Sequence, residues 1–199
     1  MRTLLAIAAL AVAACATTQA TPPTQSWQQA ATENDRQRLR DWRKAFTTAL
    51  QQARATNATD VDREGKLLDP DAATGGVPIP GGNYRCRVVK VGAKTQGMLN
   101  YVAYPAFRCR IDAGQVQRFT KLTGSQRQVG LIYPADSLRQ VFLGTLVLGD
   151  ETVAYQYGRD DDRDLAAWVE RIGDRRWRMV FPYPHYESTL DVIELIPEQ

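Results

Sequence analysis

An alternating pattern begins at Tyr84-Arg85-Cys86-Arg87-Val88 and returns at Phe107-Arg108-Cys109-Arg110-Ile111. In each stretch a cysteine stands between two arginines, so the cysteine shares one face with apolar residues and the arginines share the other face. A period of two residues is the side-chain period of a β-strand. Both stretches are therefore predicted to be half-buried strands with their cysteines turned inward.

More strand-like sequence follows these two stretches. It occupies residues 116–122, 129–133, 141–148, 153–157, 176–181 and 190–196. Residues 165–171 fit either a strand or a helical turn, and Gly173-Asp174 suits a tight hairpin turn. Seven to nine short strands joined by tight turns predict a mainly β fold, either an antiparallel barrel or a sandwich. The barrel is favoured because it leaves no strand edge exposed.

One amphipathic helix is predicted ahead of the strands, over residues 32–56. Thr32-Glu33-Asn34-Asp35 has the form of a helix N-cap, and apolar residues recur from Leu39 to Ala53 at helical spacing. The apolar stripe is narrow and partly alanine, so packing on the β domain is favoured over lying on an anionic membrane. Residues 57–82 are rich in Pro and Gly and predict a crossing loop, which leaves 83–199 as the antiparallel β domain.

The first residues are typical of an export signal. Arg2 precedes an apolar run over residues 4–14, which at about 16 Å is too short to span a bilayer as a helix. The run ends in Val12-Ala13-Ala14-Cys15, which resembles a bacterial lipobox and implies cleavage before Cys15 and acylation of its thiol. The alternative is an ordinary secretory signal with an incidental cysteine. Residues 1–14 are thus predicted to be a lipoprotein signal peptide and 15–31 a flexible tether.

These features predict where the protein resides. Ala16, rather than an acidic residue, follows Cys15, a pattern that resembles export to the outer membrane. The expected location is the cell envelope, with the N-terminal lipid in the outer membrane and the chain facing the periplasm. Two or more acyl chains are needed for stable attachment.

The remaining cysteines, Cys86 and Cys109, are predicted to form a disulfide, because paired thiols in an oxidising compartment are usually bridged. The alternative is half of a zinc site, which requires two more ligands. The chain has one histidine, His185, so neither a metal nor a cofactor is predicted.

Several spaced motifs carry a family resemblance. They include Gly82-x-Tyr84-x-Cys86-Arg87, Phe119-x-Lys121-Leu122-Thr123-Gly124-Ser125, and the stretch from Phe142 to Glu151. The sequence resembles the family called domain of unknown function 4893, over residues 30–197. The resemblance implies an exported bacterial envelope protein and supplies no catalytic residues. A looser likeness to small lipocalin-like barrels rests on the strand pattern and the cysteine placement alone.

Two groups of residues are candidate binding sites. The first surrounds a glycine turn and offers cationic, hydroxyl and amide donors for an anionic ligand, at Lys121, Thr123, Ser125, Gln126 and Arg127. The alternative is a hairpin turn whose polar residues satisfy one another. The second group is a basic patch on two strands, suited to lipid phosphates or an acidic partner, at Arg85, Arg87, Arg108 and Arg110. The alternative is that these arginines are merely solvated.

The charge balance argues against one class of function, nucleic-acid binding. The chain has 25 Lys and Arg against 22 Asp and Glu, a net charge of +3, which is far from the basic excess of a nucleic-acid-binding protein. We expect a lipid-anchored, non-enzymatic envelope protein whose β domain binds an unidentified protein or small molecule. The alternatives are an inhibitor of a periplasmic hydrolase or protease, and an enzyme using Asp150, Glu151 and Asp160.

Overall fold

The computed structural model describes residues 25–76 and 78–198. Within these residues the helical elements are α1 Trp27–Ala30, α2 Glu33–Arg40, α3 Trp42–Arg63 and a 3-10 turn at Gly65–Leu68. The strands are β1 Gly82–Ala93, β2 Tyr101–Ala103, β3 Phe107–Asp112, β4 Gln117–Lys121, β5 Gln126–Pro134, β6 Arg139–Leu148, β7 Asp164–Gly173, β8 Arg176–Pro182 and β9 Ser188–Pro197. Cys15 and the predicted signal peptide lie outside the described residues.

The strands form a closed antiparallel barrel. The order along the sheet is β2-β1-β3-β4-β5-β6-β7-β8-β9, and β1 also pairs with β9, which closes the sheet. The first half of β1 pairs with β3 and the second half with β2, so eight strands form the barrel and β2 is an additional strand. The predicted mainly β barrel preceded by a helix is confirmed, and residues 165–171 belong to a strand rather than a helix.

One predicted strand is absent. Residues 153–157 lie in the connection between β6 and β7, where Val153 and Tyr155 are exposed. Alternation alone does not make a strand when no neighbouring strand is free to pair, and β6 already pairs directly with β7.

The inside of the barrel is filled by a packed apolar core. Phe142 makes edge-to-face contacts with Phe119 and Phe181, at centroid distances of 5.7 and 5.8 Å. Gly130 and Gly144 face each other in neighbouring strands, and a Cβ on either would come within 2.7 Å of the Phe142 ring. These glycines therefore make room for the central aromatic side chain.

Cys86 and Cys109 form the predicted disulfide, which is confirmed. It joins β1 to β3 with the two Cα atoms 6.2 Å apart, and both cysteines are buried in the barrel interior.

One end of the barrel is plugged by the segment before β1. Ile79 is buried there; its carbonyl accepts a hydrogen bond from the Gln117 side chain at 2.6 Å, and its N–H donates to Gln140 at 3.0 Å. The Tyr84 hydroxyl donates to the Pro80 carbonyl at 2.6 Å. This end is called the closed end below.

The helices pack on the outside of the barrel. Ala45, Phe46, Ala49, Leu50 and Ala53 of α3 are buried in one cluster with outward side chains of β1, β8 and β9. The predicted apolar stripe thus packs on the β domain.

The helical boundaries differ from the prediction. The chain forms two helices divided at Asp41 (φ −85°, ψ 8°), and α3 continues past residue 56 to Arg63 with a non-helical Asn57. Buried Val61 extends the packed face into the segment predicted to be a loop. Part of the predicted tether is also helical: Ser26 caps α1, and the Trp27 ring packs edge-on against Trp168 at 5.8 Å. In the described ranges, no helix combines the length and hydropathy needed to cross a bilayer.

Candidate functional site

A cavity of about 450 Å³ lies at the other end of the barrel, which is called the mouth. It opens between the connection that follows β2 and the turn between β4 and β5. Its lining residues are Val88, Lys90, Tyr104, Pro105, Ala106, Phe107, Lys121, Thr123, Gly124, Ser125, Gln126, Gln128 and Asp191. The lining is partly apolar and partly polar.

Lys121 is the last residue of β4 and faces inward, because Gln117, Phe119 and Lys121 alternate toward the interior. Lys121 is only 9% exposed. Its ammonium lies over the Phe107 ring, 4.2 Å from the centroid. The following turn passes close above the side chain, since a Cβ on Gly124 (φ +94°) would lie 3.6 Å from Lys121 Nζ.

The electrostatic surroundings of Lys121 are cationic. Burial, together with the positive charges of Lys90 and Arg127, lowers the pKa of Lys121 to about 8. Among the described residues, no carboxylate forms an ion pair with this ammonium. The mouth therefore holds a nearly buried cation whose counter-charge the described chain does not supply.

The acidic residues of the mouth are already paired. Lys90 Nζ lies 3.0 Å from Asp191 and 3.1 Å from Glu187, and the Ser188 hydroxyl donates to Asp191. Burial lowers the pKa of Lys90, but Asp191 and Glu187 outweigh it and raise the pKa overall. Burial raises the pKa of Asp191 despite the neighbouring ammonium.

A smaller cavity of about 30 Å³ adjoins the mouth, beside the loop that carries His185. Burial lowers the pKa of His185, and the charges of Arg38 and Lys94 lower it further, so the imidazole is neutral at neutral pH. His185 Nε2 and Gln128 Oε1 are buried without a hydrogen-bonding partner. Both residues line this smaller cavity, which adds unsatisfied polar atoms next to the mouth.

Four of the five residues of the predicted anion site lie together in the mouth: Lys121, Thr123, Ser125 and Gln126. Arg127 does not line the cavity. Its guanidinium donates to the carbonyls of Gly124, Gly149 and Glu151, at 2.6–2.9 Å. The reason is the strand period, which turns Gln126 and Gln128 inward and Arg127 outward. Lys90, Gln128 and Asp191 were missed, although the inward alternation of β1, β5 and β9 points to all three.

The predicted basic patch is divided. Arg85 and Arg108 are exposed and face each other across β1 and β3, with Arg110 beside them. Arg87 is instead held by Glu64 at 2.6 Å and Glu194 at 3.0 Å. The end of α3 covers the outer face of β1 at this point, so Arg87 is part of an internal ion-pair network.

The patch is also partly neutralised. Arg108 pairs with Glu198 at 3.3 Å and Arg110 with Asp112 at 2.6 Å. These pairs reduce the positive charge that the patch offers to a partner.

The acids of the enzymatic alternative do not meet in a cleft. Glu151 pairs with Arg163 at 2.6 Å and accepts the Leu148 N–H, and Asp160 lies 3.6 Å from Arg163. Asp150 is exposed on the same connection. Glu151 and Asp160 therefore hold Arg163 in the β6–β7 connection. No group of His, Cys, Asp and Glu suited to a metal ion occurs within residues 25–76 and 78–198.

The fold and the site define a class of protein: a closed eight-stranded antiparallel barrel with a filled interior, an outer helical layer and a cavity in the mouth that contains Lys121. The chain belongs to the family described as Domain of unknown function (DUF4893), which matches residues 27–195. The match covers both the helical layer and the barrel. No curated protein and no solved structure matched the chain.

Proposed function

We propose that this chain is a lipid-anchored, non-enzymatic protein of the bacterial envelope whose barrel binds a small anionic ligand in the mouth. The observation that carries the proposal is the Lys121 ammonium, which is nearly buried in a cavity of about 450 Å³ and has no acidic partner among the described residues. Cavities of about 300–1,000 Å³ are typical of small-molecule sites.

A carboxylate or phosphate is the group that such a site favours. A buried charge is costly unless it is paired, so an anion at Lys121 Nζ would remove that cost and form a charge-assisted hydrogen bond. The side chains of Thr123, Ser125 and Gln126 line the same cavity and supply further donors.

The apolar part of the lining indicates what else the ligand carries. Val88, Ala106 and Phe107 present apolar surface to the cavity. A ligand that joins one anionic group to a short apolar or aromatic part matches both kinds of lining, whereas inorganic phosphate matches only the polar residues.

Isothermal titration with benzoate and with inorganic phosphate tests the site. We expect benzoate to bind more tightly than phosphate, and Lys121→Met to weaken benzoate binding by about tenfold or more, as loss of a charged hydrogen bond does. Lys44→Met, on the exposed face of α3, is the matched control and should bind as the unaltered chain does. Equal affinities for Lys121→Met and the unaltered chain would refute the proposal.

The anchor has its own test. Support comes from the apolar run before Cys15 and from the Cys86–Cys109 disulfide, since disulfides persist mainly outside the cytosol. Mass spectrometry of the protein purified from bacterial envelopes should find Cys15 as the first residue, carrying acyl chains. An intact Met1 terminus would contradict the anchor without touching the ligand site.

A further inference from the structure

Exposed apolar side chains are concentrated at the mouth. Among the described residues, eight large apolar side chains are exposed, and seven of them lie on the connections around the mouth. These seven, called the apolar rim below, are Met98, Leu99, Tyr104, Leu122, Val153, Tyr155 and Tyr186. The eighth, Leu138, lies between β5 and β6 at the closed end.

Two members of the apolar rim contribute little to the fold. Leu99 is 74% exposed and Val153 is 77% exposed, so neither side chain is stabilised by burial. Single exposed apolar residues are ordinary, but several gathered at one end of a barrel mark a surface that binds something.

We propose that the mouth end of the barrel rests on the surface of a lipid bilayer, with the apolar rim entering the interfacial layer. This proposal goes beyond ligand binding and does not require a ligand in the cavity. The side chains of the rim come from five separate connections. Side chains distributed over several connections in this way suit contact with a flat, deformable surface.

The composition of the rim favours a membrane. Three of its seven members are tyrosines, whose rings combine an apolar body with a hydroxyl and are enriched at membrane–water interfaces. The others are aliphatic or Met, and moving such side chains out of water lowers the free energy in proportion to their apolar area.

The position of the N-terminal segment is compatible with this orientation. The Thr32 N–H donates to the Tyr157 hydroxyl at 3.1 Å, so the start of α2 lies against the β6–β7 connection at the mouth. The ten residues 16–25 reach at most about 35 Å. An acyl chain on Cys15 and the apolar rim can therefore enter the same bilayer.

Charge is not the driving force. The mouth end also carries Asp150 and Asp161, both exposed, together with Arg159. Because these signs are mixed, we expect binding to zwitterionic lipid and little gain from anionic lipid.

Vesicle sedimentation tests the proposal without the anchor. The chain beginning at residue 16, which keeps every described element, is mixed with phosphatidylcholine vesicles. We expect it to sediment with them, and Leu99→Ser combined with Val153→Ser to lower the partition coefficient by about tenfold. Leu138→Ser at the closed end is the matched control and should partition as the unaltered chain does. A chain that stays in solution, or an equal loss with Leu138→Ser, overturns the proposal.

A depth measurement on the acylated protein gives the orientation. Spin labels are placed at Leu99→Cys and at Leu138→Cys, and their collisions with oxygen and with a water-soluble nickel chelate are compared in the same vesicles. We expect the label at position 99 to be shielded from nickel and the label at 138 to be fully exposed to it. Equal exposure of both labels overturns the proposal.

Discussion

At the scale of single residues, Arg178 shows how a charge is accommodated under the helical layer. It is fully buried and pairs with Glu170 at 2.6 Å. Its Nη1 also donates to the carbonyls of Lys66, Leu67 and Asp69, at 2.7–3.1 Å. One guanidinium therefore satisfies a buried carboxylate and the end of the 3-10 turn.

Arg178→Met should destabilise the protein by about 3–5 kcal/mol, because it leaves Glu170 without one partner and three carbonyls without a donor. Urea unfolding measures the free energy change. Arg63→Gln, which removes an exposed pair with Asp60, should cost less than about 1 kcal/mol. A similar loss of stability in both variants would show that burial does not determine how much an ion pair contributes to the free energy of unfolding.

The ionisation of Lys121 leads to a second prediction about a single residue. Because its pKa lies at about 8, raising the pH above this value converts the ammonium to a neutral amine and removes the charge that attracts an anion. Benzoate remains ionised throughout, so its affinity should fall by about tenfold or more between pH 7 and pH 9.5. Titration calorimetry at both pH values measures the change. Lys121→Met should show no such dependence; an equally steep fall in that variant would place the responsible group elsewhere.

At the scale of elements, α3 approaches β1 closely at Gly92. A Cβ on Gly92 (φ +72°) would lie 2.9 Å from Ala49 Cα and 2.4 Å from Gln52 Oε1. The Gln52 side chain can move aside, but the backbone of Ala49 cannot without shifting the helix. Small residues on both elements therefore set the distance between the helical layer and the barrel.

Gly92→Ala should destabilise the fold by about 2–4 kcal/mol, through the positive φ and the contact with α3 together. Gly97→Ala separates the two causes, since Gly97 also has a positive φ (+90°) but nothing lies within 4 Å of its Cβ position. The difference between the free energies of unfolding of the two variants, measured by chemical denaturation, gives the contribution of the contact with α3 alone. Equal losses would show that α3 yields to the extra methyl group.

At the scale of the whole molecule, the barrel closes through β1, which pairs with β9 along nine residue positions while β3 and β2 share its other edge. The disulfide fastens β1 to β3 beside this closure. It thus ties the first strand to the side of the barrel that the helices leave uncovered.

Replacing Cys86 and Cys109 together by serine should lower the free energy of unfolding by about 3 kcal/mol, mainly by freeing the unfolded chain. The midpoint of urea unfolding should fall with little loss of β structure by circular dichroism, because the ladders on both sides of β1 remain. Unaltered stability would mean that the bridge does not constrain the unfolded chain.

Several features of the protein depend only on local order along the chain and were predictable from it. The period of two residues predicted most of the strands and the inward direction of Cys86 and Cys109, and the spacing from Leu39 to Ala53 predicted the packed face of the helix. These properties follow from backbone geometry, which is the same wherever the element packs.

Other properties depend on residues that are distant in the chain and became visible only in the folded protein. The pairing of β1 with β9 makes the fold a barrel rather than a sandwich. The ion pairs with Glu64 and Glu194 separate Arg87 from the basic patch to which it was predicted to belong. The unpaired state of Lys121 and the gathering of the apolar rim likewise arise from loops that are far apart in sequence. Pairing partners and burial are set by which surfaces meet on folding, and no local period encodes that choice.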